Sequence, residues 1–197
     1  MFNKIRSHLL FLVFAPALMV NAAHAQWSLD NAASELSFVT TKADNVAEVH
    51  TFDLLNGTIA NDGSVQISIE LASVNTMIDI RNERMREMLF ETSLFPNASI
   101  TAKVDLAAIT AMAPGSTSRV SLDFNLELHG TSKSFTADVM FTRLADGAMA
   151  TTLKPLVVTA DSFALVAGVE KLREVAGLTR ISNAVPVTFT IVFGQGG

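Results

Sequence analysis

Apolar and polar residues exchange places one by one along much of this chain. The segment 65–71 reads VQISIEL, and the segment 120–128 reads VSLDFNLEL. Successive side chains of a β-strand point to opposite faces, so a period of two predicts sheets with one apolar and one polar face. The apolar faces must be covered by one another, by a bound apolar molecule or by lipid.

The beginning of the chain follows a different pattern. Two basic residues precede an apolar run over 9–20 that is too short to cross a bilayer, and the motif AHA stands directly before Gln26. We predict a secretory signal peptide over residues 1–25, cleaved between Ala25 and Gln26, and therefore a periplasmic or secreted protein. The alternative, an uncleaved anchor helix, is disfavoured because Pro16 interrupts an already short run.

Charge and cysteine content limit the partners of the mature chain. Loss of Lys4 and Arg6 lowers the number of basic residues from 14 to 12, against 19 acidic ones, a net charge of about −7. This balance disfavours nucleic acid as a partner. The chain has no cysteine, so the exported protein must be stabilised by burial and not by disulfides.

Turn signals divide the mature chain into strands of similar length. We predict eight of them, over residues 36–41, 46–59, 65–74, 98–106, 120–128, 135–144, 148–159 and 185–193. Two stretches, 81–90 and 169–176, favour short helices, the second closed by Gly177. The predicted fold is all-β, a single domain over residues 26–197: an eight-stranded antiparallel lipocalin-like barrel with one or two short helices at the barrel mouth.

The apolar residues of these strands are the candidate lining of the barrel. An outer-membrane barrel would turn them toward lipid and needs girdles of Tyr and Trp, but the chain has no Tyr and one Trp. We therefore expect them to point inward and expect no membrane-spanning segment. The predicted lining consists of Leu36, Phe38, Phe52, Ile67, Ile69, Leu71, Leu122, Phe124, Leu126, Val139, Phe141, Phe189 and Ile191.

The first helical stretch adds apolar residues that could cover the mouth. Met85, Leu89, Phe90 and Phe95 have the spacing of a helix face and its continuation. Ordinary core packing is one interpretation of this face. The other is a lid that gates the entry of a ligand, for which flexible methionine side chains are suited.

Several segments, in their order, resemble a known family. They read WSLD at 27–30, SELSF at 34–38, NGTI at 56–59, NERM at 82–85 and LELHGTSK at 126–133. Together they are similar to the YceI-like family, exported lipocalin-like barrels that bind polyisoprenoids. The resemblance implies an elongated apolar cavity for a long-chain isoprenoid lipid, such as a quinone tail or a polyprenyl carrier.

A polar head group on such a lipid would need partners near the mouth. The candidates are His50 and Arg81, with Arg84 and Arg86 beside the latter, because guanidinium groups suit carbonyl or phosphate oxygens. The alternative is a solvated helix face, in which acidic residues of the same segment balance the arginines.

Signals of catalysis are scarce. No nucleophile elbow or phosphate loop is present, and the two histidines of the mature chain, His50 and His129, lack metal-ligand spacing. We expect no catalytic residue, no metal and no cofactor other than a bound isoprenoid lipid or quinone, and hence no enzyme.

Two alternative functions stay open. One is a barrel enzyme that acts on an apolar substrate, using inward Thr40, His50 or Arg143. The other is a ligand-free structural or stress protein with a filled core. The oligomeric state, including a homodimer, also stays open.

Overall fold

Antiparallel strands dominate the part of the chain that the structure describes. The structure is a computed structural model, which describes residues 27–195; the predicted signal peptide lies outside the described residues. The strands are β1 (Trp27–Leu29), β2 (Glu35–Lys42), β3 (Val46–Phe52), β4 (Leu55–Ile59), β5 (Ser64–Glu70), β6 (Val74–Asn75), β7 (Asn97–Lys103), β8 (Thr117–Leu128), β9 (Thr131–Leu144), β10 (Gly147–Thr152), β11 (Leu156–Thr159) and β12 (Ala184–Gln195).

These segments form the wall of a closed barrel of eight strands. Three wall strands are bent and consist of two segments each: β1 with β2, β3 with β4, and β10 with β11. Strand β12 pairs with β10 and β11 on one side and with β1 and β2 on the other. The ring is closed by the pairing of β2 with β3 and of the short β1 with β4. The predicted eight-stranded antiparallel barrel is confirmed.

The alternation of the sequence becomes the alternation of the wall. In β8, Leu122, Phe124 and Leu126 are buried or partly buried, while the residues between them are exposed. The outer residues of β8 form a polar ladder with β9, in which Ser121 donates to Asp138 at 2.6 Å. Strand β8 therefore gives its apolar side to the interior and its polar side to water. Strand β3 departs from this pattern, because Glu48 and His50 line the interior while Val49 is 66% exposed.

Short helices cover the two ends of the barrel. The helix α1 (Asp79–Arg84) continues into one π-helical turn (Met85–Leu89), and this turn packs against α3 (Val166–Val175) at one end. These helices agree with the two predicted helical stretches. The helix α2 (Leu106–Ala111) was not predicted; Asp105 caps it by accepting a hydrogen bond from the Ala108 amide at 2.9 Å. No helix within residues 27–195 has the length and apolar character to cross a membrane.

The end of the barrel opposite α3 is plugged. Trp27 is buried, and the guanidinium of Arg143 lies 5.6 Å from its ring centroid. Arg143 also donates to the carbonyls of Leu144 and Gly147. A Cβ on Gly147 would lie 2.0 Å from the Phe193 carbonyl oxygen, so only glycine allows the strands to approach this closely here.

Candidate functional site

The barrel is hollow beneath α1, the π-helical turn and α3. A cavity of about 370 Å³, the upper cavity, lies between the barrel wall and these helices. Its walls are largely apolar. The polar lining residues include a group at its mouth, with Lys42, Glu48 and Arg81, and the pair Thr40 and His50. An interior of this kind can hold an apolar ligand, because eight strands enclose room for one small molecule.

A helical lid, defined as residues 79–89 together with α3, closes the upper cavity from above. Met85 is buried, and both Met85 and Leu89 line the cavity. The lid is held together by close backbone contact at Gly168, where an added Cβ would lie 2.7 Å from the Met88 carbonyl oxygen and 2.9 Å from the Leu89 Cα. Glycine at this position lets α3 approach the π-helical turn. Such turns occur frequently at functional sites.

Aromatic contacts connect the lid to the wall. The rings of Phe38 and Phe52 stack with centroids 5.3 Å apart, and Phe90 lies 5.7 Å from Phe52. Phe38 belongs to β2, Phe52 to β3 and Phe90 follows the π-helical turn. These rings therefore contact one another and still leave open space beside them.

A second, smaller cavity lies deeper in the barrel. This lower cavity of about 70 Å³ is lined only by apolar residues, among them Ile109 of α2. Four residues line both cavities: Leu36, Ile100, Phe124 and Phe189. They form a partition between the two spaces.

Most residues predicted as lining are in the walls of the two cavities. The upper cavity is lined by Leu36, Phe38, Phe52, Ile69, Leu71, Met85, Leu89, Phe90, Phe124, Leu126 and Phe189. Of the remaining predicted residues, four line the lower cavity: Ile67, Leu122, Phe141 and Ile191.

Two predicted lining residues contact neither cavity. Phe95 lies outside the barrel interior because its ring packs on His129, with centroids 4.3 Å apart, beside the turn at Gly130. Val139 does point inward, but it is completely covered by packed side chains. The interior is thus filled near Val139 and hollow elsewhere.

Other lining residues were missed. Some continue alternations that the sequence shows, such as Val185 and Val187 before Phe189. Others come from helices and connections where no period of two exists. This second set comprises Ile78, Ile80, Leu165, Val169, Leu172, Val175, Leu178 and Ile181.

Three charged residues form an ion-pair group at the mouth. The Glu48 carboxylate lies 2.6 Å from Lys42 Nζ and 2.8 Å from an Arg81 guanidinium nitrogen. Arg81 also donates to the Thr76 carbonyl at 2.6 Å. The hydrogen bond from Lys42 and the charge of Arg81 lower the pKa of Glu48, although partial burial opposes them.

The arginines of the lid therefore have separate environments. The carboxylate that balances Arg81 is Glu48 of β3 and not an acidic residue of its own helix. Arg86 makes a long hydrogen bond of 3.5 Å to the Ala72 carbonyl. Arg84 lines the upper cavity and forms no ion pair within the described residues. Of the three, it has the guanidinium that is most available to a ligand.

His50 is a buried polar residue of the cavity wall. Its side chain is only 3% exposed, and its Nε2 lies 2.9 Å from the Thr40 hydroxyl. The Nδ1 atom is buried without a well-formed hydrogen bond. Burial, and next the positive charge of Arg81, lower the pKa of His50, whereas Glu48 opposes this effect. The ring is therefore neutral at pH 7.

Of the inward polar residues considered for catalysis, Arg143 lies apart from the other two. Thr40 and His50 lie together in the upper cavity, but Arg143 is part of the plug at the other end and lines neither cavity. His129 lies at the turn between β8 and β9, paired with Glu91 at 3.0 Å. The site is best suited to enclosing an apolar chain with a polar end at the mouth.

The fold and the cavity together define a lipocalin-like barrel with a hollow apolar interior beneath a helical lid. The model of the YceI-like domain family matches residues 27–193. The chain belongs to this family.

Solved structures agree with this assignment. A polyisoprenoid-binding domain from Saccharophagus degradans is 42% identical, with a TM-score of 0.84 over 86% of this chain and 98% of that one. BcnA from Burkholderia cenocepacia is 20% identical, with a TM-score of 0.64 over 83% of this chain and 98% of BcnA. The YceI protein of Campylobacter jejuni is 14% identical, with a TM-score of 0.54 over 75% and 84%. The last two show the fold alone. Among curated proteins the chain has no significant match.

Proposed function

We propose that this protein binds an isoprenoid-type lipid, a quinone tail or a polyprenyl chain, in the upper cavity, and carries or stores it outside the cytoplasm. The observation that carries the proposal is the apolar cavity of about 370 Å³ beneath the lid. It is supported by the 42% identity to a domain described as polyisoprenoid-binding. Export rests on the signal peptide predicted over residues 1–25.

The physical chemistry of the cavity favours such a cargo. Each methylene-sized group moved from water into an apolar wall is worth about 0.8 kcal/mol, and a prenyl chain has many. Loss of the free motion of the lipid offsets a large part of this gain. Because apolar burial is not directional, the cavity selects by shape and length rather than by hydrogen bonding.

The head group would lie at the mouth of the cavity. Arg84 is our preferred partner there because its guanidinium is not held by an ion pair, whereas Arg81 is shared between Glu48 and a backbone carbonyl. His50 lies deeper, beside Thr40. A carbonyl or phosphate at the mouth would accept hydrogen bonds from Arg84.

The proposal includes no chemistry on the lipid. A barrel enzyme needs polar groups that converge on one reacting atom. Thr40 and His50 lie in the upper cavity near Lys42, Glu48 and Arg81, whose charges are paired with one another, and Arg143 is at the opposite end. A carrier that binds without turnover is the function that this arrangement supports best.

The test is to identify what the protein holds. Protein purified from its own host should release a long-chain lipid on extraction and show the complex by native mass spectrometry. The variant Val187→Phe places a ring in the upper cavity and should reduce the lipid content at least roughly tenfold, since several buried groups are displaced. Its matched control, Thr188→Phe, adds the same ring to the next residue of β12, whose hydroxyl bonds Ser37 outside the cavities, and should retain the lipid.

Two results would contradict the proposal. Absence of lipid, together with no binding of an added prenol, would indicate a ligand-free structural protein. Conversion of an added prenol or quinone to a new product would indicate an enzyme.

A further inference from the structure

The partition between the two cavities lies where it can limit how far a ligand enters the barrel. Leu36 of β2 and Phe189 of β12 are register partners on adjacent strands. Ile100 of β7 and Phe124 of β8 are on another adjacent pair. Around the barrel, β9 and β10 separate β8 from β12 on one side, so the two pairs belong to opposite walls. All four side chains border both cavities.

The two aromatic rings of the partition are held differently. Phe124 stacks on Phe135 with centroids 5.7 Å apart, and Phe135 in turn stacks on the fully buried Phe163 at 6.3 Å. Phe189 has no ring partner within residues 27–195 and is only partly buried. Phe124 is therefore the fixed side of the partition, and Phe189 is the side that can be removed with the least disturbance of other rings.

The space below the partition is a blind end. The lower cavity is apolar throughout, a kind of cavity that stays empty of water. Below it, Trp27 and Arg143 plug the barrel. A chain that enters from the mouth can gain length only by passing the partition into this space.

We propose that Phe189, together with Phe124, Leu36 and Ile100, sets the maximum prenyl chain length that the barrel accepts, and that the lower cavity is closed to the ligand by Phe189. This inference rests on the proposed function, because it specifies which isoprenoids the same site selects. Loss of the Phe189 ring joins the two cavities and lets a longer chain be buried. Each additional buried methylene-sized group increases the affinity about fourfold.

The experiment compares two all-trans prenols, farnesol and solanesol, supplied to the delipidated full-length mature protein from cyclodextrin. The Phe189→Ala variant should raise the affinity for solanesol relative to farnesol at least roughly tenfold over the parent. Phe52→Ala removes the same ring from the lid end of the upper cavity and should leave the ratio within about threefold. The double variant Phe189→Ala with Ala150→Leu refills the lower cavity, which Ala150 lines, and should restore the parental ratio.

The outcomes separate this inference from the proposed function. If every protein binds both prenols with an unchanged ratio of affinities, the inference that Phe189 limits chain length is wrong while the proposed lipid binding stands. An equal increase in Phe52→Ala and Phe189→Ala also overturns it. If no protein binds either prenol, both proposals fail. Should Phe189→Ala not fold, Phe189→Leu, which keeps a branched apolar side chain, must show a smaller shift in the same direction.

Discussion

His50 shows how a single residue links the cavity wall to pH. Its imidazole ring lies beside Phe38, with ring centroids 5.3 Å apart, and its Nε2 lies 2.9 Å from the Thr40 hydroxyl. Three charged groups lie near it, Arg81 and Lys42, which oppose protonation, and Glu48, which favours it. Because burial is the largest of these influences, the folded protein prefers the uncharged ring.

We expect acid to weaken the fold through His50. Its folded pKa is below the ordinary value of 6.5, so between these two values the unfolded chain binds the proton first and stability falls as the pH is lowered. One proton gives a slope of at most about 1.4 kcal/mol per pH unit. Urea unfolding from about pH 8 to about pH 5 should show this loss, and the His50→Gln variant should flatten it. An unchanged slope in His50→Gln would assign the effect to other groups.

The Glu48 ion pairs titrate in a lower range. The pKa of Glu48 is lowered from 4.5, so their contribution is present above that value and lost as the pH falls through the folded pKa. The side chains of the group are 24% to 31% exposed, which limits each pair to about 1 kcal/mol or less. The two acid effects can therefore be separated by pH.

At the level of elements, the contact between α3 and the π-helical turn decides whether the lid fits. The Gly168→Ala variant places a methyl group against backbone atoms that cannot move independently, at 2.7 and 2.9 Å. We expect α3 to shift outward, with a loss of about 1–3 kcal/mol in stability, typical of overpacking. If the lid gates entry, farnesol uptake and release should both become faster, as measured by stopped flow.

A matched control is available on the same helix. Ala167 is exposed, so Ala167→Ser adds one heavy atom without touching the π-helical turn and should change neither stability nor rates. The double variant Met85→Ala with Leu89→Ala tests the same gate from the other helix. Unchanged uptake and release in this variant would show that the lid is only a cover.

The elements differ in how well the sequence predicts them. The wall strands were predictable because apolar and polar residues alternate along them with a period of two. Leu122 and Phe124 of β8 show this alternation directly. The bend that separates β3 from β4 was not predictable, since tertiary closure sets it. The helix α2 was missed although Asp105 is a local signal for its beginning. Leu178 and Ile181 line the upper cavity from the connection after α3. A connection has no regular alternation of apolar and polar residues, so these two residues could not be predicted. The ion pair between Glu48 and Arg81 joins distant segments and has no local signal.

At the scale of the whole molecule, the barrel has its cavity mouth at the lid end and a plug at the other end. The ring is closed by the pairing of β2 with β3 and by β1, which has three residues and pairs with a strand on each side. Below the lower cavity, the plug of Trp27 and Arg143 prevents passage through the barrel. Under the proposed function, the lipid would therefore enter and leave through the lid end.

This separation of the two ends predicts that closure and binding can be perturbed independently. Trp27 is 3% exposed and lines neither cavity. The Trp27→Ala variant should lose about 3–5 kcal/mol of unfolding free energy, the usual cost of deleting a large buried aromatic side chain. Trp27→Phe, which keeps a ring beneath Arg143, should lose less. Trp27 is the only tryptophan of the chain, so both variants lose tryptophan fluorescence as a probe. Unfolding is therefore followed by circular dichroism. Under conditions where both variants are folded, farnesol affinity should stay within about twofold of the parent, since the proposed ligand site is at the other end. A large loss of affinity in Trp27→Phe would mean that the ligand reaches the plugged end, and that the partition at Phe189 does not stop it.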